Sequence, residues 1–207
     1  MDLLVTLGRT LGFSFSAGIN LYATAAILGL ASRFGWVALP PQFKVFDNPY
    51  IIGAAIVMYA IEFVADKVPW VDTIWDMVHT FIRPIGGALI AVATLGQASP
   101  AIQGLVALLG ATVAAGTHLT KAGSRAIVNT SPEPLSNWIL SLGEDAFVVA
   151  LGFIALKYPV LALIIAVVLL ALIAIFIRIL WRGLRRLFGA RPSSAPGAAG
   201  SAAGHGT

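Results

Sequence analysis

Six carboxylates stand at intervals that could do chemistry together. Glu62 and Asp66 are four residues apart, Asp72 and Asp76 repeat that interval, and Glu144 and Asp145 are adjacent. Four residues is one helical turn, so each spaced pair shares a helix face. Neighbouring carboxylates in a medium of low dielectric compete for charge and hold a proton or a cation between them. His118 and Lys121 close an apolar stretch, with Arg125 and Asn129 just beyond, and Asn20 interrupts another. The expected ion or substrate site takes Glu62, Asp66, Glu144 and Asp145 as its acids and Asn20 and His118 as neutral ligands. Lys121 or Arg125 supplies the counter-charge. Asp72, Asp76 and His79, flanked by Trp70 and Trp75, read instead as a solvated interfacial segment anchored by its tryptophans.

Other chemistries are poorly served. Cysteine is absent, which removes disulfides, thiolate metal sites and thiol nucleophiles. No Gly-x-Ser-x-Gly, Walker loop or His-Glu-x-x-His occurs, so no catalytic residue is assigned. His79 and His118 are too scattered to define a metal site, and no cofactor is expected. The balance leans away from an enzyme.

The elements that must position these residues are membrane helices. Hydrophobic residues make up 58% of the 207 and charged ones 11%, with a mean hydropathy of +0.91. A soluble domain carries about 25% charge and needs a polar skin, so lipid is the solvent for most of this surface. Apolar stretches at 11–31, 50–65, 83–95, 100–119, 136–156 and 159–181 predict an all-α bundle of about six spans. The net charge of +4 does not indicate nucleic acid. Arg178, Arg182, Arg185, Arg186 and Arg191 crowd behind the last apolar run, as a membrane-edge anchor does.

With six spans, the inner side holds Arg9, Lys67, Arg83, Lys121, Arg125 and those five arginines. The outer side holds Arg33, Lys44 and Lys157. That bias places both termini in the cytoplasm. The acidic start, Met1-Asp2, argues for a retained first helix over a cleaved signal. The expected organisation is a transmembrane domain over 1–189 and a disordered Gly/Ala/Ser/Pro tail over 190–207, which takes His205 with it. Asn48-Pro49 echoes Ser99-Pro100, and Phe15–Gly18 echoes Arg83–Gly86, which suggests repeated helical hairpins. The small-residue pairs Ala25/Gly29 and Gly110/Ala114 predict close helix packing.

Three long stretches carry a family resemblance. They are Ser16-Ala17-Gly18-Ile19-Asn20-Leu21-Tyr22-Ala23-Thr24, then Glu62-Phe63-Val64-Ala65-Asp66-Lys67-Val68-Pro69-Trp70-Val71-Asp72 running on to Arg83-Pro84, then His118-Leu119-Thr120-Lys121-Ala122-Gly123-Ser124-Arg125-Ala126 with Asn129 to Trp138. Over about residues 8–160 the chain resembles a bacterial membrane family known only as domain of unknown function 4126. The resemblance implies a membrane protein and no particular activity. A fainter likeness is to cation exchangers bearing Glu-x-Gly-Asp-Lys. Glu62-Phe63-Val64-Ala65-Asp66-Lys67 departs from that pattern by one extra residue and a missing glycine.

The polar residues all fall in the inner halves of their helices, which predicts a cavity open to the cytoplasm. The best-fitting function is a small transporter or channel of the bacterial inner membrane, for a cation or small solute, with proton coupling. A non-catalytic scaffold or assembly subunit is the alternative, and a lipid-modifying enzyme comes last. Expected partners are the bilayer itself and either a second copy or another membrane protein.

Overall fold

The computed structural model describes residues 3–39, 41–130 and 134–189. Every regular element among them is helical: α1 (Leu3–Ile19), α2 (Leu21–Arg33), a 3-10 segment (Pro41–Asp47), α3 (Pro49–Ala65), α4 (Pro69–Leu95), α5 (Pro100–Val128), α6 (Pro134–Lys157) and α7 (Pro159–Gly189). The tail expected to be disordered lies outside the described residues. The chain divides into two compact units, Met1–Ile173 and Ala174–Thr207. In the second, the Arg185 guanidinium lies 5.2 Å over the Trp181 ring. All the contacts that follow belong to the first.

Proline fixes where helices begin. It stands in the first turn of α3, α4 and α5, where its missing N–H would have no partner anyway. Asn48 accepts from Tyr50 N and Ser99 from Ile102 N, so both residues cap the helices that follow. This shared start signal accounts for the Asn48/Ser99 echo. The other echo joins unlike places, since Phe15–Gly18 ends α1 while Arg83–Gly86 lies inside α4.

Four helices are long and apolar enough to cross a membrane, or up to five if the bent pair of the 3-10 segment and α3 is one span. The difference from six lies in residues 11–31, which are two helices and not one. Asn20 breaks them: its backbone is extended at φ −146° and ψ 100°, and its side chain accepts the Ala23 N–H to start α2.

Contacts show that the two halves run in opposite senses. Along α1, Thr10 hydrogen-bonds Thr94, Ser14 reaches the Gly87 carbonyl, and the Gly18 carbonyl accepts from Arg83, so α1 is antiparallel to α4. Against α6, Phe15 meets Phe147 and Gly12 meets Ala155, again antiparallel. In α2 the order reverses, with Asn20 beside Asp145 and Ile27 beside Gly152. The pair α1–α2 is therefore a helical hairpin with Asn20 at its tip. Its open ends return to one end of the bundle. Gly8 packs on the Pro159 carbonyl, and Gly29 on that of Phe46.

This moves Arg9. The sequence tally grouped it with Lys67, but the start of α1 lies beside Thr94 and Pro159, at the far end from the α3–α4 connection. Arg83, Lys121 and Arg125 are likewise buried in the bundle and not in loops, so they carry no weight in a count of loop charges.

Glycines set the closest helix approach. A Cβ on Gly110 would fall 2.4 Å from Ala91 Cβ and 2.7 Å from the Gly87 carbonyl oxygen, so α4 and α5 touch backbone to backbone there. Gly110→Ala should therefore push the two helices apart and cost about 1–3 kcal/mol. Gly104, with nothing within 4 Å of such a Cβ, should tolerate alanine with a gain of up to about 1 kcal/mol. Thermal unfolding in mild detergent distinguishes the pair.

Candidate functional site

Helices α2 to α6 contribute polar side chains to one buried network, and α1 contributes its last backbone carbonyls. Glu62 ends α3 on its inward face, and Asp66 caps that helix. On α4, Asp72, Asp76, His79 and Arg83 form a stripe at helical spacing, all buried. On α5, His118, Lys121 and Arg125 do the same. On α6, Asn137, Ser141 and Asp145 are buried and Glu144 nearly so. The hairpin tip brings Asn20.

Arg83 and Glu62, each 0% exposed, pair at 2.5 Å. The other Arg83 amino group donates to His118 Nδ1 at 2.6 Å and stands 3.2 Å from Asp76 Oδ1. Because guanidinium can only donate, His118 Nδ1 must accept. The ring is then neutral with its proton on Nε2, which donates to the Asp76 carbonyl at 3.1 Å. His79 Nδ1 donates to the Trp75 carbonyl at 2.7 Å, which leaves its neutral Nε2 to accept from Tyr22 at 3.0 Å.

Lys121 links the halves of the network. Its ammonium lies 3.0 Å from Asp66 and 3.6 Å from both Glu62 and Glu144. Arg125 pairs with Glu144 at 2.7 Å and Asp66 at 3.3 Å, and donates to Asn137 at 2.7 Å. Lys67 sits at the rim, donating to the Phe63 carbonyl and Ser141 and lying 3.1 Å over the Phe63 ring. Burial lowers its pKa from the usual lysine value, against the opposing pull of Asp145 and Asp66.

The hairpin tip matches its backbone dipoles to these charges. The last carbonyls of α1, Gly18 and Ile19, accept from Arg83 and Lys121 at 3.4 and 3.3 Å. Cations stand where a helix C-terminus is negative. At the start of α2, Asn20 donates to Asp145 at 3.3 Å, which puts a carboxylate at a helix N-terminus.

All eight residues of the expected site, Asn20, Glu62, Asp66, His118, Lys121, Arg125, Glu144 and Asp145, fall in this network. Lys121 stands between Glu62 and Glu144, in contact with each, and no pocket found among the described residues is lined by the three together. The segment expected to be solvated is not. Asp72, Asp76 and His79 are 0%, 4% and 2% exposed, because residues 69–95 are one continuous helix that turns this stripe toward α5. Arg83 is the residue that sequence reading passed over. Its position seven residues after Asp76, on the same face, was the available signal. A cleft of about 180 Å³ between α4 and α5 reaches Asp72, Asp76, Arg125 and Asn129. Among the described residues, no three His, Asp or Glu side chains converge to hold a metal ion.

The family model described as domain of unknown function (DUF4126) matches residues 7–179. The chain belongs to that family. Neither a curated protein nor a solved structure matches it. The DUF4126 match covers both the hairpin and every charged group of the network, so the resemblance read from the three sequence stretches holds.

Buried ion pairs are costly to halve. Arg83→Met strands Asp76 without its cation, leaves Glu62 only the more distant Lys121, and should destabilise the protein by about 3–5 kcal/mol. Adding Glu62→Gln to that variant should recover part of the loss. A double-mutant cycle on detergent-phase unfolding measures the coupling, and additivity would contradict it.

Proposed function

We propose that this protein moves a small cation or protons across a bacterial inner membrane. The observation that carries the reading is the hairpin tip in the charged network. Helices of 17 and 13 residues meet at Asn20 inside the bundle, with cations on one terminus and a carboxylate on the other. Broken helices whose ends face ions are how many transporters build a binding site within the bilayer. Irregular backbone at that depth is tolerated where protein or a wet cavity surrounds it.

The charge balance points the same way. Glu62, Asp66, Asp72, Asp76, Glu144 and Asp145 face Arg83, Lys121, Arg125 and, at the rim, Lys67. Oxygens of Glu62, Asp66, Asp72, Asp76 and Asp145 have no hydrogen-bond partner among the described residues. Acids in excess of bases, in low dielectric, attract protons or a mobile cation. Asn20, Glu62, Asp66, Glu144 and Asp145 would bind it, with His118 as a neutral ligand and Lys121 and Arg125 setting the field. The topology we propose is five crossings, counting the bent pair once, plus the re-entrant hairpin in place of a sixth. The arginines in the last turns of α7 face the cytoplasm by the positive-inside rule.

A second reading has one specific observation in its favour. Glu62 and Arg83 are sealed from solvent, as a static clamp in an assembly subunit would be. A stoichiometric membrane partner recovered in mild detergent would support it.

The transport reading is tested in vesicles reconstituted with the full chain and given a pH or potassium gradient. Wild type should dissipate one of the gradients. Glu62→Gln should slow it at least about tenfold, equivalent to roughly 1.4 kcal/mol on the barrier. Asp145→Asn, which removes a charge without breaking an ion pair, should do likewise and serves if the first variant misfolds. Wild-type vesicles as tight as empty ones would end the proposal.

A further inference from the structure

We infer that Arg9 anchors a binding site for a phosphate group, carried by a phospholipid headgroup or free in solution, at the end of the bundle remote from the carboxylate network. The site is independent of the transport reading and shares no residue with it.

Four cations are buried among the described residues, and three of them are paired. Arg83, Lys121 and Arg125 each hold a carboxylate. Arg9, 8% exposed, holds none. Its Nε is sealed and has no hydrogen-bond partner. The two amino nitrogens are not sealed, and among the described residues no carboxylate, carbonyl or hydroxyl reaches them either. A guanidinium taken out of water needs a counter-charge. The end that can be reached from outside is the one that carries the donors.

The surroundings indicate what supplies that charge. Thr10, the next residue, meets Thr94 in the last turn of α4, and Gly8, the one before, packs on the Pro159 carbonyl at the α6–α7 turn. Arg9 is therefore level with the ends of its neighbours, where a membrane bundle meets the headgroups. Asn20 and the acids around the hairpin tip are roughly 16 Å further along α1. Arg33, Lys44 and Lys157 share Arg9's end of the bundle. Asp47, which faces Arg33 at 4.0 Å, is the one acid there among the described residues.

That setting selects the ligand. The excess of positive charge favours an anion, and a guanidinium fork receives the oxygens of an oxyanion two at a time. At the level of the helix ends in a bilayer, the abundant oxyanion is the phospholipid phosphate, toward which long basic side chains extend. Inorganic phosphate presents the same oxygens without acyl chains.

The test uses the full chain, stripped of lipid, in mild uncharged detergent at fixed pH and ionic strength. Unfolding midpoints are read in chloride alone, in inorganic phosphate, and in chloride with phosphatidylglycerol added to the micelles. In chloride alone Arg9→Met should unfold at the wild-type temperature or a few degrees above it, because it removes an uncompensated charge and keeps an apolar stem. In at least one form of phosphate, wild type should gain about 3–8 °C more than the variant, as binding to the folded state requires. The arginines of α7 also respond to anionic lipid, so the difference between the two proteins is what is measured. A differential gain with phosphatidylglycerol alone names the headgroup as the source, and one with inorganic phosphate names the free ion. Arg9→Lys, which keeps the charge and loses the fork, should fall between. Equal gains in wild type and both variants would overturn the inference. So would an Arg9→Met protein far less stable than wild type in chloride alone, because the chain itself, from Asp2 for instance, would then supply the counter-charge.

Discussion

A charge cannot stand alone where water is absent, and the packing of residues 3–173 follows from that constraint. The Arg83 guanidinium is where it is met most completely. From α4 it holds Glu62 of α3, Asp76 of its own helix, His118 of α5 and the Gly18 carbonyl of α1. Planar, always charged and equipped with several donors, guanidinium can satisfy four acceptors at fixed angles where an ammonium would act as a point charge. Three other helices thereby take their register from one side chain. The close approach of α4 to α5 at Gly87 and Gly110 follows, since Arg83 reaches His118 only if the two backbones touch.

The α1–α2 hairpin answers the same constraint with backbone in place of side chains. A helix ending at depth leaves carbonyls unpaired, and one beginning there leaves N–H groups unpaired. Arg83 and Lys121 take the carbonyls of Gly18 and Ile19, and Asn20 takes the Ala23 N–H. Without the network, the chain would gain by running straight through Asn20 as one helix. Without the hairpin, Lys121 would lose one acceptor and Asp145 its Asn20 donor. Break and cluster stabilise each other, so neither is explicable alone.

How much of this the sequence disclosed depends on what each signal measures. Composition identifies the solvent, so the membrane assignment and helical class were legible at once. Spacing identifies faces, so Glu62, Asp66 and the groups of α5 could be placed together. Residues 72–83 misled because an apolar window sees density and not direction. Four ionisable groups in one stretch read as solvated, although their spacing describes a single inward stripe. Arg83 was taken as the loop charge before an apolar run because that run begins beside it. Asn20 was visible as a polar intrusion, but hydropathy carries no sign for chain direction, and residues 11–31 look the same straight or folded back. The reversal depends on one extended residue and on partners 65 to 125 positions away, which no local pattern encodes.

The surplus of acid over base bears on the choice between a clamp and the proposed conductor. If the network served only to hold helices, apolar side chains of similar volume would do so as well or better, because desolvating paired charges commonly costs as much as the pairing returns. A balanced set would at least leave no oxygen without a donor. Here the buried oxygens without a donor include one each of Glu62, Asp66, Asp72 and Asp145 and both of Asp76, and the Arg83 Nε is unmatched as well. Asp145 lies at the hairpin tip, and Asp72 and Asp76 line the α4–α5 cleft. Unmatched acceptors on this scale are what the transport proposal would use and what a static clamp would not require.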